Sequence, residues 1–194
     1  MTEARIRTPV TKAIVEMIDE LPPADRDAIR EAAAESIDTV ERALRSSWLP
    51  LAIQLDILRQ VDRQLGRDGY ADFCQRHLIR TIETPLVKTV FDGAVRLFGV
   101  GPEAVFKVFR RSWAMMSSDA GEVNLLEMSA DALRIEVREL PLEEAQATLF
   151  IEGFAATFSG VFRLFELDGK TELKSVDYAN RTAIYTGSWT PKAA

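Results

Sequence analysis

One stretch limits what this chain can fold into more than any other. No charged residue lies between Glu152 and Arg163, and Phe150, Phe154, Phe158 and Phe162 recur every four positions, with Val161, Leu164 and Phe165 beside them. That spacing places the phenylalanines on one stripe of a helix, drifting slowly around its axis. Each such side chain contributes about 1.5–3 kcal/mol when fully buried, so the stripe has to meet a core. Gly153, Ala155, Ala156 and Gly160 leave little side chain on the neighbouring face, where a strand, a second copy of the chain or a ligand can come close to the backbone. The helix is predicted from Glu144 or Thr148 to Leu167. It approaches membrane-spanning length, but Glu152, Arg163 and Glu166 interrupt it, which makes it a core helix.

Strand signals flank this helix on both sides. Val123–Met128 is short and mostly apolar, and Ser129–Ala132 is a polar break. Leu133–Arg138 alternates strictly, with Leu133, Ile135 and Val137 on one face and charges on the other. Period-2 alternation marks a strand with one face on a core and one in water. Pro141 ends the ladder, having no N–H to donate. After the helix, Asp168-Gly169 is a turn signal. Thr171–Tyr178 and Thr182–Trp189 then form a hairpin across Asn180-Arg181, with Ala183, Tyr185, Gly187 and Trp189 on one face of the second strand.

That order of elements, closing on Tyr185-Thr186-Gly187-Ser188-Trp189, resembles the ligand-binding fold of the 4-vinyl-reductase domains. Haem-nitric-oxide-binding proteins and TRAPP-type trafficking subunits share that superfamily. The similarity runs roughly from Trp48 to Trp189 and looks closest to a poorly characterised myxobacterial family of this length. It implies small-molecule sensing, often in dimers, or, on the trafficking side, a role in assembly. Two family features are missing from the sequence: cysteines near the C-terminal hairpin, and the Tyr-x-Ser-x-Arg motif that clamps haem in the nitric-oxide binders. The second absence argues against haem, and no cofactor is expected.

The 194 residues suffice for one sizeable core. The net charge of −6 argues against nonspecific nucleic-acid binding, which depends on clustered positive charge. The single cysteine, Cys74, excludes an intrachain disulfide framework and fits a reducing compartment. The N-terminus lacks the apolar run of a secretory signal, and no uninterrupted apolar run suits a membrane span. The expected setting is cytoplasmic.

Upstream of Gly121 the chain reads as helical. Residues 1–7 are polar and read as frayed. Thr8-Pro9 supplies a capping hydroxyl and a proline at a helix start, and Pro22-Pro23 ends that helix. A second, thinly apolar helix runs from Ala24-Asp25 to about Leu44. Ser46 or Ser47 caps the next, with Pro50 in its first turn and Gly66 closing it. Asp68-Gly69 turns the chain into a helix over Tyr70–Thr84, and Pro85 breaks that one. Leu86–Phe98 and Glu103–Ser117 follow, separated by Gly99-Val100-Gly101-Pro102.

Candidate chemistry is sparse. Cys74 and His77 share a helix face and could form half of a metal site; no other Cys or His exists to complete it, which leaves carboxylates or a second copy of the chain, and a packed or partly exposed pair is the favoured reading. Gly99-Val100-Gly101 lacks the lysine of a phosphate loop. No Gly-x-Ser-x-Gly elbow is present. Glu127 or Glu143-Glu144 are the carboxylates that could face a pocket. Arg110-Arg111 beside Trp113, with Arg59, Arg63, Arg76 and Arg80, form the best cationic cluster, read chiefly as intrachain partners for the excess acids. Arg110 is also a candidate polar group in a pocket.

The resulting expectation is an α+β fold. Residues 1–46 form an N-terminal helical arm. Residues 47–191 form a ligand-binding-like domain with a four-stranded antiparallel sheet (β-β-α-β-β) packed on helices. The expected function is a non-enzymatic binding or sensory module for a small apolar or amphipathic ligand. Its pocket would lie between Phe150, Phe154 and Phe158, the Tyr185 and Trp189 face, and the helix bearing Phe106, Phe109, Arg110 and Trp113. The alternative is a protein-interaction or assembly module whose apolar helix faces bind a partner; an enzyme acting on a hydrophobic substrate ranks third. A homodimer is expected, and neither nucleic acid nor a membrane span.

Overall fold

Proline sits at the first or second position of four helices: α1 (Thr8–Asp19), α2 (Pro23–Ala32), α5 (Pro85–Phe98) and α6 (Pro102–Met116). The missing N–H costs nothing there, because the first-turn amides have no intrahelical acceptor. The computed structural model describes residues 3–141 and 144–191. The remaining elements are β1 (Arg5–Arg7), α3 (Ala34–Arg42), β2 (Trp48–Pro50), α4 (Leu51–Ile82), β3 (Ser117–Ser118), β4 (Glu122–Met128), β5 (Ala132–Arg138), α7 (Glu144–Leu164), β6 (Leu167–Asp177) and β7 (Thr182–Pro191). The fold is α+β as expected, with a four-stranded antiparallel sheet in the order β4-β5-β7-β6.

The Phe-rich α7 lies between this sheet and α4. Leu133, Ile135 and Val137 of β5 and Ala183, Tyr185 and Trp189 of β7 are all buried, as the alternation required. Phe158 and Phe162 are fully buried beneath the sheet. Phe162 stacks on Trp189 at 5.0 Å, and Phe158 meets Tyr185 edge-on at 5.5 Å. Two polar ties fix the register of helix on sheet. Tyr185 donates its hydroxyl to the Ile151 carbonyl at 3.0 Å, and Ser159 accepts from the Thr171 amide at 2.9 Å while donating to Ala155. On the opposite side of α7, the element that approaches the small residues is α4. A Cβ on Gly160 would lie 3.0 Å from the Gln75 backbone, and one on Gly153 would lie 2.8 Å from the Tyr70 hydroxyl.

Several local expectations are overturned by long-range pairing. Residues 5–7 are not frayed: β1 pairs antiparallel with β2 and with β3 in a small second sheet, and Ile6 is fully buried. The Arg7 guanidinium covers the Trp48 ring at 4.0 Å. Trp48–Pro50 is therefore a strand and not a first helical turn; β2 is an edge strand, where proline is tolerated. Thr8 does not cap α1 but sends its hydroxyl to the Ser47 carbonyl at 3.0 Å. The helix over 24–44 is two helices, broken at Ala33 (φ −111, ψ 22).

Gly66 does leave helical geometry (φ 69, ψ 174), but the chain resumes the helix at once, so α4 is kinked there and Asp68-Gly69 is helical. Asp168-Gly169 is inside β6, because the reversal is made earlier by Phe165 and Glu166, the latter at φ 54. Gly169 is needed for space: a Cβ there would meet the Phe162 ring at 2.6 Å.

Candidate functional site

The site is a cavity of about 80 Å³ where α1, α4, α6 and α7 meet, on the side of α7 away from the sheet. The kink at Gly66 lets both halves of α4 contribute. Gln54, Leu55 and Leu58 come from the first half, and Tyr70, Phe73, Cys74, His77 and Thr81 from the second. α7 supplies Phe150, Phe154 and Thr157, and α6 supplies Phe109, Trp113 and Met116. Gly153 leaves the room that the Tyr70 hydroxyl occupies on its way to the Leu149 carbonyl at 3.3 Å.

The predicted residues are divided by this geometry. Phe109, Trp113, Phe150 and Phe154 line the cavity. Trp113 meets Phe154 edge-on at 5.1 Å and is held by its indole N–H on the Gly121 carbonyl at 3.0 Å. Phe106, Phe158, Tyr185 and Trp189 fill the core between α7 and the sheet instead; Phe106 lies 6.2 Å from Phe158 and 6.0 Å from Phe162. Arg110 is exposed, 3.5 Å from Glu122, and is not among the cavity residues. Three of the other arginines, Arg59, Arg76 and Arg80, are partners of acidic side chains within the chain. Arg59 and Arg76 pair with Asp56 and Asp72 on their own helix, and Arg80 reaches Glu16 and Glu20 on α1. Glu127 is exposed beside Arg134, and Glu143 lies outside the described residues.

Residues that carried little weight in the sequence form the polar part of the wall. His77 Nε2 donates to the Val10 carbonyl of α1 at 3.0 Å and also lies 3.4 Å from Thr81 Oγ1. Burial pushes the imidazole pKa below its ordinary value; the Arg80 charge adds to this and the bond to Val10 opposes it. Burial also pushes the Cys74 thiol up to about 12, so it stays protonated at neutral pH. Gln54 accepts the Thr11 hydroxyl at 3.0 Å. A signal for Gln54 was present: it falls between Leu51, Leu55 and Leu58 on the apolar face of its helix, where a polar side chain needs a reason. Among the described residues, no group of three or more His, Cys, Asp or Glu side chains could hold a metal ion, and no helix is long and apolar enough to cross a membrane.

No protein-family model matches this sequence, and no curated protein matches it either, so nothing supports the myxobacterial placement. Solved structures do match. An Fe(II) unliganded H-NOX protein mutant (A71G) from K. algicida superposes with a TM-score of 0.67 at 6% identity, covering 96% of this chain and 98% of its own. An oxygen-binding H-NOX domain related to soluble guanylate cyclases gives 0.62 at 11% identity over 97% and 98%. A structure probing haem distortion in the H-NOX family gives 0.62 at 10% identity over 97% and 96%. At these identities the likeness concerns the path of the chain alone: over 96–97% of its length the fold is that of an H-NOX domain.

Proposed function

We propose that this chain is a non-enzymatic binding or sensory module for a small apolar or amphipathic molecule, held in the cavity between α1, α4, α6 and α7. The observation that carries the reading is the cavity itself: an aromatic and aliphatic wall interrupted by a few polar groups is the usual composition of a ligand site. The likeness to H-NOX domains, some of them described as oxygen-binding, supports sensing. Its two most reactive side chains are held in unreactive forms, Cys74 as a thiol and His77 as a neutral ring bonded to Val10. Among the described residues, no carboxylate lines the cavity to work with them. Binding therefore accounts for the site better than catalysis.

Haem does not fit these residues. A cavity of about 80 Å³ admits only a few water-sized bodies and not a porphyrin, and among the described residues no Lys or Arg lines it to meet propionates. The ring nitrogen His77 Nε2 is already committed to Val10. The ligand is accordingly smaller than the group found in the neighbours.

Headspace gas chromatography–mass spectrometry of protein purified from its own host and then denatured tests the reading. A volatile compound released in proportion to protein, and absent from a Leu58→Phe variant that fills the cavity, is expected. Release that is identical in wild type and variant would refute it.

A second reading, an interaction module and homodimer, rests on a different observation. Leu97, Phe98 and Val100 at the end of α5 are exposed by 78%, 41% and 82%. Sedimentation equilibrium of wild type and Leu97→Asp would separate the two readings, a dimer lost in the variant favouring the second.

A further inference from the structure

The polar groups around the cavity are only partly satisfied. Gln54 is 7% exposed and spends its carbonyl oxygen on the Thr11 hydroxyl, while its amide nitrogen has no partner among the described residues. Gln54 lines the cavity, so a molecule held there can accept from this donor. His77 shows the complementary feature. Its bond to Val10 puts the ring proton on Nε2, so Nδ1 is an acceptor, likewise without a partner among the described residues.

Among the described residues the wall contains no Asp, Glu, Lys or Arg, so an ion would enter without a counter-charge and at high cost. The volume of about 80 Å³ exceeds the roughly 10–15 Å³ that one water needs and falls short of the roughly 150 Å³ that takes benzene. We infer that the cavity takes a neutral molecule of about three or four non-hydrogen atoms, a short-chain alcohol or an amide of that size. Its polar end accepts from Gln54 Nε2 and donates to His77 Nδ1. Its apolar body rests on Leu58, Phe73 and Phe154. This assignment depends on the cavity being a binding site at all; ordered water is the rival occupant. Gln54 and His77 are also the side chains that hold Thr11 and Val10 of α1. Occupancy therefore bears directly on the seat of α1.

The test is a propan-2-ol titration of the full-length, ¹⁵N-labelled chain by NMR, with xenon as an apolar probe of the same cavity. Saturable shifts are expected at the Gln54 side-chain amide and along residues 8–19. In Gln54→Leu, propan-2-ol binds about tenfold more weakly, the worth of one hydrogen bond, while xenon binding is unchanged. Equal propan-2-ol affinity in wild type and variant would overturn the polar anchor and leave an apolar binding module standing. If neither probe enters, the cavity is no binding site and both readings fall. Should the variant fail to fold, the wild-type protein decides alone: a Gln54 amide resonance that does not move at saturating propan-2-ol overturns the assignment.

Discussion

Gly160 of α7 faces the backbone of Gln75 of α4 so closely that a β-carbon on the glycine would lie 3.0 Å from both the Cα and the carbonyl oxygen of Gln75. This contact sets the distance between the helix carrying the Phe stripe and the helix carrying the polar half of the cavity. Backbone cannot move aside as a side chain can. Gly160→Ala is therefore expected to cost about 1–3 kcal/mol, lowering Tm by roughly 2–4 °C per kcal/mol. Gly93 in α5 has nothing within 4 Å of its missing Cβ, so Gly93→Ala should instead stabilise by up to about 1 kcal/mol. Thermal unfolding of the two variants side by side checks the contrast.

His77 makes stability depend on pH in a predictable direction. Its folded-state pKa is lowered by burial, so on acidification the unfolded chain takes up a proton before the folded one does. No effect exists above the ordinary pKa of about 6.5. Stability falls as pH drops from there towards the lowered folded value, by at most about 1.4 kcal/mol per pH unit. It is the only histidine in the chain, and Asp72 and Asp177, held low by their partners, titrate well below this window. Urea unfolding between pH 7 and 5.5 should show the loss in wild type and a flat profile in His77→Gln. A flat wild-type profile would contradict the assignment.

Cys74 is predicted to be silent as a nucleophile. With its thiol pushed up to about 12 by burial, almost no thiolate exists at pH 8. Labelling by Ellman's reagent should proceed no faster than opening of the fold and reach one equivalent at once in denaturant. A fast native-state reaction would mean that the α4–α7 interface opens readily.

Phe158 touches Phe106, Phe109, Phe154 and Tyr185 and is fully buried. Phe158→Ala should cost about 3–5 kcal/mol. Tyr185→Phe, which removes only the hydrogen bond to Ile151, should cost about 0.5–1.5 kcal/mol. Similar losses for both would show that the ring cluster is loosely packed.

Gly66 combines φ 69 with ψ 174, a region open in practice only to glycine. Gly66→Ala should cost about 1–3 kcal/mol and, by straightening α4, separate Gln54 from His77. A variant that keeps wild-type stability would show that the kink relaxes freely.

The four-stranded sheet, the core helix and the helices around them were legible in the sequence because each depends on a local period. The alternation of Leu133, Ile135 and Val137 and the four-residue spacing of the phenylalanines each select one backbone geometry and one buried face. Ile6 gave no such signal. Its strand exists only because β2 and β3 arrive beside it from 41 or more positions away along the chain. The break at Ala33 and the turn at Glu166 were likewise chosen by packing over competing local preferences.

The site divides along the same line. Phe109, Trp113, Phe150 and Phe154 could be nominated from the sequence because large aromatics on helix faces must be buried somewhere. Which side of α7 holds a cavity, and which is filled solid, could not. That depends on Phe106, Phe158, Tyr185 and Trp189 interlocking on one side, while Gly153 and Gly160 bring the kinked α4 against the other. Periodicity, read along one chain, determines which faces turn inward. The shape and chemistry of the space between α4 and α7, with Gln54 and His77 brought there from 23 residues apart in α4, are properties of surfaces meeting in three dimensions, and only the tertiary structure decides them.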